Sequence, residues 1–300
     1  MKILVTGGTV FVSRFVAKWF ADKEHEVYVL NRGSKPQVEG VTLIKGDRHA
    51  LGDSLKKQHF DAVLDITAYD EDDVRDLLDA VGSFDDYILL SSSAVYPETL
   101  PRPFKEEQPV GRNSLWGDYG WNKIKAEELL FSRFPGAYTL RPPYLYGPME
   151  NLYREPFVFE CADLDRPFYL PDDGSLPLQF FHVEDLCRLI EVILAKHPDE
   201  HILNVGNTAD VTAEEFVRIC YAAAGKTPDI RYVTGHPESS YFSFRNYAYH
   251  LDTAKQEVLL PELKDLEKGM QEAYEWYKSH PEDGIRRKAY IEYINQNIAK

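Results

Sequence analysis

The start of the chain narrows the fold more than any other stretch. Residues 2–6 are a short, β-rich apolar run that breaks at Gly7-Gly8-Thr9. Phe11, Phe15, Val16, Trp19 and Phe20 then recur at the spacing of one helix face, up to about residue 22. Glu26-Val27-Tyr28-Val29-Leu30 reads as a second strand ending at Asn31-Arg32-Gly33. Strand, helix and strand within about 30 residues is the spacing of a βαβ crossover, and a crossover commits the chain to a parallel sheet with helices on its faces.

The alternation continues. Strands are expected at 41–44, 62–66, 87–90, 137–140 and 202–206, and helices at about 70–81, 119–134 and 180–196. Tyr87-Ile88-Leu89-Leu90 is wholly apolar, as a strand covered on both faces must be. A proline-rich stretch at 96–109 interrupts the pattern, and from about 207 the chain is polar, helical and turn-rich. The expected fold is therefore α/β: a doubly wound parallel sheet of the Rossmann kind with a smaller, partly interleaved C-terminal α/β domain. We place the nucleotide-binding domain at 1–148 plus about 180–206. The substrate domain falls at about 149–179 and 207–300.

Composition excludes some functions. Lys plus Arg number 34 against 49 Asp plus Glu, a net charge of −15. This argues against a general nucleic-acid binder, which needs a basic footprint, and against attraction to anionic membranes. No apolar run approaches the ~20 residues of a membrane span, and the short run at the start lacks the form of a signal peptide. Cys161, Cys187 and Cys220 are scattered, without a Cys-x-x-Cys pair, so buried thiols in a reducing, cytoplasmic setting are expected. His197 and His201 are four apart, but the Pro198-Asp199-Glu200 between them reads as a loop, and no metal site is expected.

Two motifs carry chemistry. Gly7-Gly8-Thr9-Val10-Phe11-Val12-Ser13 joins the first strand to the first helix, where a dinucleotide fold sets its pyrophosphate against free N–H groups. Val10 and Ser13 stand where that fingerprint has its second and third glycines. Val10 is the more serious change, because a β-branched residue there would crowd the pyrophosphate or reshape the loop. The second strand ends in Asn31-Arg32 rather than an acidic residue that would hold ribose hydroxyls, which favours NADP over NAD. The second motif is Tyr119-Gly120-Trp121-Asn122-Lys123 at a helix start. Tyr119 and Lys123 share a face, and a nearby ammonium favours the phenolate and so lowers a tyrosine pKa.

These motifs resemble the extended and atypical short-chain dehydrogenase/reductases, the NAD(P)-dependent epimerase/dehydratase family. Besides Thr6-Gly7-Gly8-Thr9 and Tyr119 with Lys123, the resemblance runs through Gly46-Asp47, Ser91-Ser92-Ser93-Ala94-Val95-Tyr96 and Leu140-Arg141-Pro142. It continues in Tyr146-Gly147-Pro148, Phe181-His182-Val183-Glu184-Asp185-Leu186, Asn204-Val205-Gly206 and Trp276-Tyr277. The resemblance implies hydride exchange between a nicotinamide and a hydroxyl-bearing carbon of a sugar-like or small carbonyl substrate. Ser92 would bond the substrate oxygen and Tyr119 would be the acid/base. Lys123 would hold the ribose and depress the Tyr119 pKa. Gly7, Gly8, Thr9, Val10, Phe11 and Val12 would carry the pyrophosphate. Asn31, Arg32, Asp47 and Arg48 would surround the adenosine, and Thr67, Ala68, Tyr69 and Pro143 would line the rest of the cofactor. A homodimer and a small-molecule substrate are implied, with no nucleic acid.

The chain also departs from sugar-nucleotide enzymes. Leu178-Gln179 stand where an Arg-Asp usually meets a diphosphate, and Phe242-Ser243-Phe244-Arg245-Asn246 replaces a late Arg-Pro-Gly-Asp. A diphosphate would need another cation, with Arg154, Arg166, Arg231 and Arg245 as candidates. The loop and the Phe-x-Phe-Arg segment are most similar to a branch that includes chloroplast stem-loop RNA-binding proteins. The alternative is therefore a non-catalytic nucleotide-sensing or RNA-associated protein that reuses the fold.

Overall fold

The structure is a computed structural model and describes residues 1–299. In chain order the strands are β1 (Lys2–Thr6), β2 (Glu26–Asn31), β3 (Val41–Lys45), β4 (His59–Asp65), β5 (Ser83–Leu90) and β6 (Tyr138–Arg141). They continue with β7 (Tyr144–Tyr146), β8 (Phe168–Pro171), β9 (Pro177–Leu178), β10 (Phe180–His182), β11 (Ile202–Asn204), β12 (Val211–Thr212) and β13 (Ile230–Val233). The helices used below are α1 (Phe11–Asp22), α2 (Glu71–Ala80), α3 (Asp118–Arg133), α4 (Glu155–Asp163), α5 (Val183–Lys196) and α6 (Ala213–Ala223).

Seven strands form one parallel sheet in the order β11-β6-β5-β4-β1-β2-β3. Strand order reverses beside β1, which pairs with β2 on one side and β4 on the other, and such a switch point opens a crevice at the carboxyl ends of the strands. Side chains alternate across the sheet. Ile3, Val5, Val29 and Leu64 pack against Val16 and Phe20 of α1 and Leu186 and Ile190 of α5. Leu4, Val63, Tyr87 and Leu89 pack against Val74 and Leu77 of α2 and Ala126 and Leu130 of α3. Burial on both faces explains why the strands read as unbroken apolar runs.

Other elements gather around a second, aromatic cluster. Phe180 and Phe216 stack at 4.9 Å, and Phe244 meets Phe216 edge-on at 5.1 Å. Short pairs β10 with β7, β12 with β9 and β13 with β8 lie here. The proline-rich stretch after β5 has its own packing: Tyr96 and Phe104 stack at 5.2 Å and are buried with Tyr249 and Leu251.

Several boundaries differ from the sequence reading. β5 begins four residues earlier, at Ser83, because its polar first half still pairs with β4 through His59–Ser83 and Phe60–Phe84. The helix expected from 180 starts at Val183. Phe180–His182 is a strand paired with β7, and the His182 ring caps the helix by accepting the Glu184 N–H at 3.2 Å. β11 (Ile202–Asn204) falls within the strand expected at 202–206, whereas β12 and β13 are too short or too exposed to leave a period-2 signature. Cys161, Cys187 and Cys220 are buried and unpaired, and no helix among the described residues is long and apolar enough to cross a membrane.

Candidate active site

The turn between β1 and α1 is built on two glycines. Gly7 and Gly8 have φ of +89° and +86°, and an added Cβ would sit 2.7 Å from Ser13 Oγ or 2.6 Å from Val29. Ser13 is therefore the small residue that close helix–strand packing needs at this position. Val10, expected to crowd the loop, has ordinary extended backbone (φ −141°, ψ 133°) and does not need a glycine's freedom. The left-handed conformation falls on Phe11 instead (φ 34°). For a non-glycine this stores strain, and such strain concentrates at functional turns. Helix α1 has no side-chain cap and no acidic residue in its first turn. Its free N–H groups and positive dipole end suit an anion. These features fit a dinucleotide pyrophosphate.

Two adjoining cavities flank this turn. The smaller, about 320 Å³, is lined by Asn31, Arg32, Asp47 and Arg48 at the ends of β2 and β3, with Gly7 and Thr67. Asn31 is committed to structure: its amide donates to Gly7 O at 2.6 Å and Gln37 Oε1 at 2.9 Å, and its carbonyl accepts the Gly33 N–H at 2.8 Å. Arg48 is committed too. It donates to Asp65 at 2.7 Å, and Asp65 also accepts from Thr6 Oγ1 at 2.7 Å and Tyr87 at 2.6 Å. Arg32 is exposed. The Arg48–Asp65–Tyr87 network was not legible in sequence because its members lie on separate segments, the turn after β3, β4 and β5.

The larger cavity, about 550 Å³, is lined by Thr9, Val10, Phe11, Val12, Thr67, Tyr69 and Pro143, and by all three residues of the expected Ser-Tyr-Lys set. Ser92 follows β5, whereas Tyr119 and Lys123 open α3. Two expected cofactor residues line neither cavity. Gly8 is buried against Val29, and Ala68 is buried with its carbonyl accepting from Lys123.

Close packing sets Tyr119 against Ser92. Gly120 abuts the turn after Ser92 so tightly that a Cβ would lie 2.0 Å from Ala94 O. Gly120→Ala should therefore destabilise the fold by about 1–3 kcal/mol, the usual cost of overpacking. Chemical denaturation would read this as a lower midpoint, and an unchanged midpoint would contradict the packing argument.

Burial pushes the Tyr119 pKa up, hydrogen bonding with Ser92 pulls it down, and the net shift is upward. The expected depression by Lys123 is not found. The ammonium is held by Ala68 O at 2.5 Å and Leu90 O at 2.7 Å, and sits 5.9 Å from the Tyr119 ring centre. Burial lowers the Lys123 pKa to about 8, against the attraction of Asp65, Glu127 and Asp73.

A third cavity, about 670 Å³, shares Trp116, Tyr144, Leu152, Arg154 and Arg286 with the second and continues it toward Arg245 and Lys288. Arg245, Arg286 and Lys288 are exposed and take part in no ion pair among the described residues. Glu238 is the one acidic residue on this wall, and Asn246 donates to it at 2.7 Å. In a chain of charge −15, this cavity gathers three unpaired cations and Arg154, which lies 3.6 Å from Glu150, a local concentration of positive charge that suits an anion. Of the candidate cations, Arg154 and Arg245 are here. Arg231 instead pairs with Asp229 at 2.9 Å, and Arg166 bonds Asn295. Arg286 and Lys288 were not anticipated; the run Arg286-Arg287-Lys288 in an acidic chain is the signal that pointed to them.

A sequence model of the NAD dependent epimerase/dehydratase family matches residues 3–206. The chain is 28% identical to the chloroplast stem-loop binding protein of 41 kDa b of Arabidopsis thaliana, over 91% of this chain and 78% of that one. It is also 28% identical to a trifunctional UDP-glucose 4,6-dehydratase/UDP-4-keto-6-deoxy-D-glucose 3,5-epimerase/UDP-4-keto-L-rhamnose-reductase of the same plant, over 65% of this chain and 30% of that one. Among solved structures, the dTDP-glucose 4,6-dehydratase of Bacillus anthracis in complex with NAD superposes with a TM-score of 0.75 at 21% identity. That match covers 95% of this chain and 98% of that one.

Proposed function

The chain belongs to the NAD-dependent epimerase/dehydratase family, and on that premise we propose that it is an NADP-dependent enzyme exchanging hydride with a hydroxyl-bearing carbon of a phosphate-bearing, sugar-like substrate. One observation carries the reading: Ser92, Tyr119 and Lys123 line a single cleft with the phosphate turn, and that cleft opens onto the cationic cavity. When bound, the nicotinamide supplies the site that accepts or donates hydride. Gly7 and Thr9 to Val12 hold the pyrophosphate, and Asp47, Arg48, Thr67, Tyr69 and Pro143 line the remaining cofactor surface. Arg32 reads the 2′-phosphate, since no carboxylate ends β2 to bond a ribose diol. Ser92 bonds the substrate oxygen. Tyr119 is held as the phenol by its raised pKa, which suits it to give a proton to a carbonyl oxygen as the carbon is reduced. Lys123 donates to the ribose with the N–H its two carbonyl partners leave over. We assign the sheet cluster to the cofactor and the aromatic cluster to the substrate, the division expected at 1–148 plus 180–206 against the rest.

The Lys123 pKa gives a pH dependence. The ammonium is present below about 8 and is lost above it. Affinity for NADPH should therefore fall as pH rises through about 8, and Lys123→Met should bind weakly with no such inflection. Calorimetric titration between pH 7 and 9.5 reads this, and a pH-independent wild type would contradict the role given to Lys123.

A second reading is favoured by the likeness to the stem-loop binding protein over 91% of the chain. It predicts salt-dependent binding of stem-loop RNA and no nicotinamide binding. The net charge of −15 and the filled Ser-Tyr-Lys positions support the enzyme.

A further inference from the structure

Tyr249 carries a hydroxyl proton that the fold does not use. The residue is 3% exposed, packs with Tyr96, Phe104 and Leu251, and lines the catalytic cavity. Its oxygen accepts from Asn113 Nδ2 at 2.9 Å. The Asn113 amide cannot be turned round. Its Oδ1 accepts the Leu115 N–H at 2.9 Å, and its other N–H goes to Tyr96 O at 2.8 Å. Tyr249 is therefore the acceptor in this pair, and its own O–H needs an acceptor elsewhere. Among the described residues it has none. The neighbouring Trp116, 5.9 Å away between ring centres, offers only an indole N–H, a donor that is itself buried without a partner. A buried donor left unpaired is costly, and a ligand oxygen in the cavity would remove that cost.

The segment around Tyr249 is anchored on the proline-rich stretch. Tyr247 donates to Glu98 O at 2.6 Å, Arg102 donates to Ala248 O at 3.1 Å, and the Phe104 N–H bonds His250 O at 2.8 Å. The same segment carries Arg245, which lies over Trp116 on the cationic cavity. Trp116 in turn packs 6.2 Å from the Tyr119 ring. One anchored segment thus sets a guanidinium on the cationic cavity and a phenol on the cleft that holds Ser92 and Tyr119.

We propose that Tyr249 is a specificity-determining residue whose phenol donates a hydrogen bond to an acceptor oxygen on the sugar-like part of the substrate. This rests on the phosphate-bearing, sugar-like substrate proposed above. Arg245 takes the phosphate end, and Tyr249 takes an oxygen on the portion whose carbon Tyr119 serves. With its lone pair engaged by Asn113, the phenol acts here as a donor. The site therefore favours a hydroxyl, carbonyl or carboxylate oxygen at that position and disfavours a deoxy carbon, which would leave the proton unpaired.

UDP probes the phosphate end alone, and UDP-hexoses add the sugar. Titrate NADP-loaded protein at pH 7 by calorimetry with UDP, UDP-glucose, UDP-galactose and UDP-glucuronate, with Tyr249→Phe alongside. Phenylalanine keeps the ring packing, and Asn113 keeps its bond to Tyr96 O. UDP should bind wild type and variant equally, which shows that Arg245 is still presented. At least one of the sugars should bind the wild type more tightly than UDP does. Tyr249→Phe should weaken that sugar about 3- to 10-fold, the scale of one neutral hydrogen bond. A sugar increment that survives in Tyr249→Phe, an equal loss for UDP and the sugar, or sugars that add nothing to UDP overturns the proposal. No binding of UDP to the wild type removes the phosphate-substrate reading instead, and the role of Tyr249 falls with it.

Discussion

Tyr119→Phe is expected to lower turnover by about 10²- to 10⁴-fold, the usual contribution of a positioned acid or base, and to leave NADPH affinity unchanged. The hydroxyl is the one group of the Ser-Tyr-Lys set with no role in holding the fold. Ser92 accepts the Ala94 N–H at 3.2 Å to cap the turn after β5, and Lys123 ties α3 to the Ala68 carbonyl of the loop after β4 and the Leu90 carbonyl at the end of β5. The Tyr119 ring instead packs 6.2 Å from Trp116 and is kept by phenylalanine. Loss of activity with intact cofactor binding would place Tyr119 in the proton path. Full activity would move the acid to another group on the cleft, where Ser92 and Tyr69 are among the hydroxyls.

The second large effect concerns the cationic cavity. Replacing Arg245 and Arg286 together by Ala should weaken UDP binding by roughly 10²- to 10⁴-fold, since a hydrogen bond to a charged group contributes ~1.5–3 kcal/mol. Neither side chain has an acidic partner to leave unpaired, so the fold should tolerate the change. Arg245 lies over the face of Trp116 at 4.9 Å, a stacked placement that lysine cannot reproduce, so Arg245→Lys should fall between wild type and Ala. Binding that survives the double replacement would mean the phosphate sits elsewhere.

Much of the cofactor side was legible in sequence because its signals are local. The β1–α1 turn announces itself through two glycines between a strand and a helix, and Tyr119 and Lys123 announce themselves by spacing on one helix. The family model over residues 3–206 supports that reading of the class. The backbone of the loop was only partly legible. Val10 sits in extended backbone, and the strain falls on Phe11, which nothing in its residue type signals. The Tyr119 pKa was misread because proximity on a helix face does not say where a flexible ammonium will be held. Two backbone carbonyls, one from the loop after β4 and one from the end of β5, hold it away. The proposed substrate side was less legible because its residues come from distant segments: Trp116 before α3, Arg154 before α4, Arg245 in an irregular stretch and Arg286 near the end. Only the tertiary fold brings them to one cavity.

The central claim is that this fold still binds a phosphorylated nicotinamide dinucleotide to do chemistry. Calorimetric titration of cofactor-stripped protein with NADPH and NADH, with Arg32→Glu as control, tests it most directly. The account predicts binding of both, NADPH the tighter, with the preference reversed in Arg32→Glu. No heat with either cofactor, alongside salt-dependent binding of stem-loop RNA, would contradict the enzyme and leave the binding protein as the reading of this chain.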